Sequence, residues 1–276
     1  MTNIRLLAMA AVFWLSASCS NDPPAAEPTP ETNTPTTPVI SYVVVAKHPH
    51  DTTAFTEGLE FVGNRLIEST GSPENLPFSY SAIRYWDYKN GKADTQVTLD
   101  KSLYFGEGVT VFQNKVYQLT YRNQLGFIYD LNTFRKLGEF RYMNAEGWGF
   151  THDSTNLIMS DGTGTLTFLD PTQLQRVKTL DVVENGYKIN NINELEYVNG
   201  YIYANLWLTN AIVKIDANTG QIAGRLDLYA LKNEVLQQHP AAEETNGIAY
   251  NPATQTFFVT GKMWPYVYEI KLDPKN

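Results

Sequence analysis

From Val39 onward the apolar residues fall in short runs, alternating or continuous, and each run closes at Asn, Gly, Asp or Pro. Almost none recur at the three-to-four spacing of a helix, so the pattern predicts many short strands joined by tight turns. One stretch differs. Leu226–Gln238, LDLYALKNEVLQQ, predicts a helical turn.

The strands are ordered at a longer period. TEGLEFVGNRLIEST, GEGVTVFQNKVYQLTY, AEGWGFTHDSTNLIMSD, INELEYVNGYIYANLW and TNGIAYNPATQTFFVTGK align with one another. Each opens with Glu or Asn beside Gly or Leu, runs through an apolar strand, turns at Asn, Gly or Pro, and enters a second strand. Four of them continue into a third strand and a turn that begins with Asp: RYWDYKNGK, GFIYDLNTFRK, LTFLDPTQLQR and IVKIDANTGQ. Asp is suited to such turns because its side chain hydrogen-bonds the backbone two residues on. The openings fall at Glu57, Glu107, Glu146, Glu194 and Asn246, in steps of 39 to 52 residues. Steps of that size with four strands each predict an all-β chain folded as a five-bladed β-propeller. The last repeat ends after three strands, at YVYEIKL, while Ser41–His48, SYVVVAKH, precedes the first repeat without a partner. Placing that N-terminal strand on the outside of the last blade closes the ring. A β-sandwich of similar strand count does not explain a fivefold register.

The innermost strand of each blade lines the axis of a propeller, so the repeat openings converge at one mouth of the channel. They bring Phe55, Glu57, Glu107, Trp148, Asn193, Glu194 and Asn246 together, and the ends of the second strands add Tyr121, Trp207, Lys262 and Trp264. The set is aromatic side chains around carboxylates, amides and one lysine, suited to a small polar group. Trp148, between Gly147 and Gly149 and close to Glu146, has little local cover. It packs on something distant, or on something that is not protein. A single Glu or Asn opening a strand more often ties neighbouring blades, and a single Trp more often packs between them. Their joint placement at one end of five repeats points to a site.

Composition narrows the partners and the compartment. Lys and Arg total 21 against 29 Asp and Glu, a net charge of −8 over 276 residues. That balance argues against nucleic acid, which asks for a basic stripe. Residues 1–19 read as a lipoprotein-type signal peptide: Arg5, the apolar run LLAMAAVFWL (Leu6–Leu15), then SASC ending at Cys19. The run is too short to span a membrane. Leu15 lies one position further from the cysteine than the usual lipobox, but Cys19 is the chain's single cysteine, so no disulfide competes for it. Residues 20–38 hold six prolines, three acids and no aromatic residue, a disordered tether. Residues 39–276 form the propeller. A lipid-anchored monomer in a bacterial cell envelope, on the periplasmic side or the surface, is expected; a plain signal would instead make it secreted.

Familiar catalytic devices are missing. His48, His50, His152 and His239 have no metal-ligand spacing, no G-x-S-x-G elbow occurs, and DGTGTLT lacks the lysine of a phosphate loop. No metal and no cofactor are expected.

FTEGL with ESTG, FGEG, EGWG with SDG, NELE with AN-x-W, and NGIAY with VTGK-x-WP resemble the plant-and-bacterial glutaminyl cyclases, or glutaminyl-peptide cyclotransferases. The resemblance runs over Val39–Leu272. It implies a five-bladed propeller acyltransferase that converts N-terminal glutamine of peptides or proteins to pyroglutamate and releases ammonia. By motif it makes Glu107 the proton-handling carboxylate, with Lys262 and Asn193 beside it, and carries over Phe55, Trp148 and Trp207 as substrate-binding residues; Glu57, Tyr121 and Trp264, from the axial set, complete the expected substrate-binding residues. Three departures bear on the substrate mouth. Glu57 stands where the family commonly has Gln, Tyr121 where a Trp often follows LT, and SPENLPFSY replaces a short Tyr-Gly turn.

The implied reaction asks little of a protein. The nucleophile is the substrate's own α-amine, with a reference pKa of about 8. Its attack on the side-chain carboxamide is intramolecular, so the protein need only hold the folded-back conformer. Glu107 can move the proton from amine to leaving nitrogen, and Lys262 or Asn193 can stabilise the oxyanion. Two other readings stand beside this one: a calcium-dependent propeller hydrolase of lactonase type, with Glu57, Asn193 and Asn246 as oxygen donors, and a propeller that binds a ligand without turnover.

Overall fold

A computed structural model describes residues 36–273. The leader with Cys19 and residues 20–35 of the proline-rich stretch lie outside the described residues.

Strand β1 (Tyr42–Pro49) comes first in the chain and belongs to the last blade. Blade one is β2 (Phe55–Val62), β3 (Arg65–Gly71), β4 (Ala82–Asp87) and β5 (Lys92–Thr98). Blade two is β6 (Gly106–Phe112), β7 (Lys115–Thr120), β8 (Leu125–Asp130) and β9 (Lys136–Arg141). Blade three is β10 (Phe150–His152), β11 (Leu157–Met159), β12 (Thr165–Leu169) and β13 (Arg176–Asp181). A small hairpin, β14 (Val183–Glu184) and β15 (Tyr187–Lys188), leads to blade four: β16 (Ile192–Val198), β17 (Tyr201–Leu206), β18 (Ala211–Asp216) and β19 (Ile222–Asp227). Helix α1 (Tyr229–Gln238) lies where the helical turn is expected, and β20 (Thr245–Asn251), β21 (Thr256–Gly261) and β22 (Tyr266–Leu272) complete the chain.

Each blade is an antiparallel meander in sequence order, and the fifth runs β1-β22-β21-β20. The unpaired N-terminal strand thus supplies the outer edge of the last blade, from Tyr42 opposite Leu272 to Pro49 opposite Tyr266. The fold is the five-bladed β-propeller expected from the repeat.

Burial follows radius. The inner strands β2, β6, β16 and β20 are buried on both faces along most of their length, whereas β5, β9 and β13 are largely exposed. Alternation of apolar and polar residues therefore fades toward the axis, where both faces meet protein. Among the described residues the core is divided into five apolar clusters, one at each junction between blades. Ile67 and Tyr85 meet Val116 and Phe127 between blades one and two, for example, and Leu66 and Trp86 meet Phe258 and Val267 where blade five closes on blade one.

Polar ties cross the axis as well. Glu194 accepts the backbone N–H of Leu59 at 3.2 Å with one oxygen and that of Ile248 at 2.8 Å with the other, joining blades four, one and five. Glu60 accepts the N–H of Val111 and Glu196 that of Tyr250. Glu194, among the residues expected at the mouth, is thus a tie between blades.

Candidate active site

Four of the five inner strands break register at their first residues. The shifts fall between Thr56 and Gly58, Gly106 and Val109, Ile192 and Leu195, and Thr245 and Ile248. Glu57, Glu107, Asn193 and Asn246 lie inside these shifts. A bulge leaves a residue outside the ladder and re-aims its side chain. Four of the five repeat openings seen in the sequence are therefore bulges, and three of them turn a polar side chain into one cavity. In blade three the strand starts later, at Phe150, and is preceded by a bend that ends at Glu146 and then by Gly147–Gly149 outside any strand.

The glycines around Trp148 answer to backbone crowding at the axis. A Cβ on Gly149 would fall 2.1 Å from the carbonyl oxygen of Asn193, and one on Gly108 would fall 2.5 Å from that of Trp148. Blades can approach this closely only where the side chain is a hydrogen. The indole of Trp148 is carried into the mouth by a segment that neighbouring backbone has stripped of Cβ atoms.

The cavity there has a volume of about 170 Å³ and is lined by Phe55, Glu57, Pro73, Phe105, Glu107, Tyr121, Trp148, Asn193, Trp207 and Lys262. Aromatic rings form its walls. Trp148 and Trp207 meet edge to face at 5.5 Å and 81°, Phe55 and Phe105 at 6.1 Å and 86°, and Phe105 lies 5.8 Å from Tyr121. The polar side chains lie deeper: Glu57, Glu107, Asn193 and Lys262 are all buried.

Lys262 Nζ lies 3.0 Å from Glu57 Oε1 and 4.5 Å from the centre of the Phe55 ring. The second Glu57 oxygen accepts the Asn246 amide at 2.9 Å. Both oxygens of Glu57 thus face donors, an ammonium and an amide. Among the described residues the Glu107 carboxyl has no hydrogen-bond partner; only its backbone carbonyl is held, by the Ser69 hydroxyl. Asn193 is similar. Its carbonyl accepts the Ser160 hydroxyl at 2.7 Å, while its side-chain oxygen is buried without a partner.

Burial dominates the titration of these groups. It pushes Glu57 up to about 7 even though the Lys262 ammonium pulls the other way. Burial, and then the neighbouring Glu57, hold Glu107 well above the usual carboxylate range. Burial lowers Lys262, but Glu57 and Glu107 outweigh it, so the net shift is upward and the lysine stays charged. Two carboxyls and one ammonium share a buried site.

Eight of the nine residues expected to act on substrate line this cavity. Trp264 does not. It is fully buried, gives its indole N–H to the Glu243 carbonyl at 3.1 Å and stacks edge-on to Tyr268 at 6.0 Å. Met263 ahead of it takes φ 60°, and the chain folds back so that the Trp264 indole fills the space below Gly261, where a Cβ would fall 2.2 Å from its nitrogen. Asn246, also expected at the mouth, acts one layer back by holding Glu57. Two lining residues, Pro73 and Phe105, escaped the sequence reading. Phe105 stands two residues before Glu107 as Phe55 stands two before Glu57, so the repeat itself carried the signal. Pro73 lies in the segment that departs from the resemblance and had none.

Similarity to known proteins runs over nearly the whole chain. A family model described as glutamine cyclotransferase matches residues 13–272. A glutaminyl-peptide cyclotransferase of Arabidopsis thaliana is 38% identical over 231 residues, which span 83% of this chain and 70% of that protein. The crystal structure of Myxococcus xanthus glutaminyl cyclase superposes with a TM-score of 0.77 at 34% identity, covering 86% of this chain and 98% of that one. With the family matched from end to end of the propeller, and a relative of this identity over most of its length, the chain belongs to the glutamine cyclotransferase family.

Proposed function

We propose that the chain cyclises N-terminal glutaminyl residues of peptides or proteins to pyroglutamate and releases ammonia. Family membership supports the reaction, and one observation in the site carries the reading: Glu107, a buried carboxyl without a hydrogen-bond partner among the described residues, shares a small aromatic-walled cavity with an ammonium and an amide.

In this reading the glutaminyl side chain lies between Trp148 and Trp207, folded back on its own α-amine. The amine nitrogen attacks the carboxamide carbon, and the C–N bond closes the five-membered ring. The Asn193 amide and the Lys262 ammonium face the oxygen that gains negative charge. Glu107 takes the proton that the amine gives up and delivers it to the carboxamide nitrogen, which departs as ammonia when its bond to carbon breaks. Glu107 ends as it began. A carboxyl raised by burial is closer in pKa to the α-ammonium, which makes the transfer less uphill. The aromatic walls exclude the water that would otherwise compete for the carboxamide.

Glu57 has a different part here. Its oxygens hold Lys262 and Asn246, so it anchors the ammonium and sets the charge beside Glu107. The calcium reading needs these oxygens for a cation, yet both already face donors.

Ammonia release from a Gln-initiated dipeptide, followed with and without a chelator, tests the reading. Turnover insensitive to the chelator is expected. Absence of ammonia, or its loss on chelation, overturns it.

The anchor remains a proposal of the same kind. The apolar run before SASC, and a chain with no other cysteine, support a lipid on Cys19 and a place in the bacterial envelope. Cys19→Ser is expected to leave the membrane fraction with its cyclase activity intact; a variant retained on membranes would overturn the anchor.

A further inference from the structure

The cavity leaves the rest of the substrate unaccounted for. Its volume of about 170 Å³ lies below the roughly 300–1,000 Å³ of pockets that enclose a drug-sized ligand, so it suits one residue. If the chain is a glutaminyl cyclase, the peptide beyond the glutamine must cross the rim.

The rim differs from side to side. Toward blades four and five, the hollow beyond Trp207 is lined mainly by polar and charged side chains, among them Lys232, Glu243 and Glu244, with Leu208 at its edge. Toward blades one and two, the wall residues Pro73 and Phe105 belong to loops that carry further apolar side chains. Pro73 opens the loop that ends blade one's second strand, and that loop presents Phe78, 52% exposed. Phe105 ends the crossing from blade one to blade two, which presents Leu103, 60% exposed. These are large exposed apolar side chains, five residues after Pro73 and two before Phe105 along the chain.

Both loops are braced. Lys101 Nζ donates to the Pro77 carbonyl at 3.2 Å and so ties one loop to the other. Asn123 donates to the Leu103 carbonyl at 3.1 Å and ties the second loop to the segment after Tyr121. Within the first loop, Leu76 N–H bonds the Pro73 carbonyl at 3.0 Å and Ser79 N–H the Leu76 carbonyl at 2.9 Å. A braced surface loses little freedom when a ligand covers it. The first loop is also SPENLPFSY, the segment with which the chain departs from the family resemblance.

We infer that Phe78 and Leu103 form an apolar shelf that receives the residue after the substrate's glutamine, so that the enzyme favours glutaminyl peptides with an apolar second residue. This rests on the cyclase reading above and adds a substrate class to it. An extended chain advances about 3.3 Å per residue, so the second residue falls just outside the cavity wall, over Pro73 and Phe105, and reaches the shelf.

The test compares kcat/KM for Gln-Leu-amide, Gln-Gly-amide and Gln-Glu-amide in three proteins: the wild type, the double variant Phe78→Ser with Leu103→Ser, and Leu208→Ser. Half-covering a leucine is worth about tenfold, so the wild type is expected to prefer Gln-Leu-amide to Gln-Gly-amide by about that factor. Gln-Glu-amide should fall below both. The double variant should bring the Leu-to-Gly ratio close to one, and Leu208→Ser should leave it as in the wild type. All the substituted side chains are exposed, so melting should hardly move. A ratio unchanged in the double variant, or lost in Leu208→Ser, overturns the shelf. Turnover of all three amides without preference overturns the shelf and leaves the cyclase reading standing. No ammonia from any of them removes both.

Discussion

Trp148 gives its indole N–H to Glu146 across 2.9 Å, two residues back along the chain. The other oxygen of Glu146 accepts Arg122 Nε at 3.0 Å, and the Arg122 guanidinium lies 4.4 Å over the ring of Tyr121 and donates to its hydroxyl at 2.9 Å. One carboxylate at the rim thus fixes two walls of the cavity. Glu146 touches no reacting atom in this arrangement; it acts through the indole.

Glu146→Ala frees the indole and should lower kcat/KM about tenfold, the scale of one hydrogen bond to a partly exposed charged group. Glu146→Gln keeps an acceptor for the indole and should recover most of the loss. Tryptophan fluorescence should change in the alanine variant and return toward wild type in the glutamine variant. Equal activity loss in both variants would point to charge instead of placement.

Glu107→Gln keeps the shape of the side chain but cannot carry a proton. General acid–base groups typically supply about 10²–10⁴-fold, and kcat on a glutaminyl peptide should drop by that much while KM and melting move little. Glu57→Gln should be far milder and should act on pH. Glu57 raises Glu107, so removing its charge lowers the Glu107 pKa and shifts the acid limb of the kcat profile to lower pH. A Glu57→Gln enzyme that is dead while Glu107→Gln turns over would reverse the two roles.

The tryptophans should separate by stability. Trp264 is fully buried and Trp264→Ala should cost about 3–5 kcal/mol of folding free energy, as large-to-small core changes do. Trp148 and Trp207 are half-buried, and alanine at either should cut kcat/KM by far more than it lowers the melting temperature. Chemical denaturation beside steady-state kinetics on the three variants checks both halves.

The blade repeat was legible because each blade repeats one arrangement of strand, turn and strand, and turn chemistry is local. The closing strand was legible from counting, since an unpaired strand at one end and a missing one at the other have one joint solution. Site residues on the inner strands were legible for a related reason: the bulges recur at the same repeat position, so Glu57, Glu107 and Asn193 share a register. Trp264 was not, because a loop side chain's direction depends on a backbone angle, here the positive φ of Met263, that spacing does not encode. Nor was the tie made by Glu194. Whether an axial carboxylate faces a cavity or a neighbouring backbone N–H is decided by how far apart the blades stand.

Away from the mouth, the channel carries buried carboxyls that make stability depend on pH. Burial, with Glu60 nearby, holds Glu196 well above the usual range, and burial with Glu196 nearby does the same for Glu194. Carboxyls raised in the folded state stabilise it fully below the unfolded value of about 4.3, and that contribution is lost as pH rises through the folded values. Melting temperature should therefore decline as pH rises above about 4.3, with a shallower decline in Glu196→Gln. Identical slopes in the two proteins would assign the decline to other groups.

The pairing of β1 with β22 also sets a timetable. β1 leaves the ribosome before any other strand of the propeller, and the strand it pairs with is made last. Until then blade five lacks its outer strand, and neither flank of the partial ring is covered. Synthesis can accumulate blades but cannot finish the molecule. The last contact to form is one that spans nearly the whole chain, the kind that slows folding most. A circular permutant that begins near residue 51 and joins β22 to β1 by a short turn would make that contact a hairpin. It keeps every residue of the mouth, yet its final step becomes local, so it should refold faster than the natural order of the same strands.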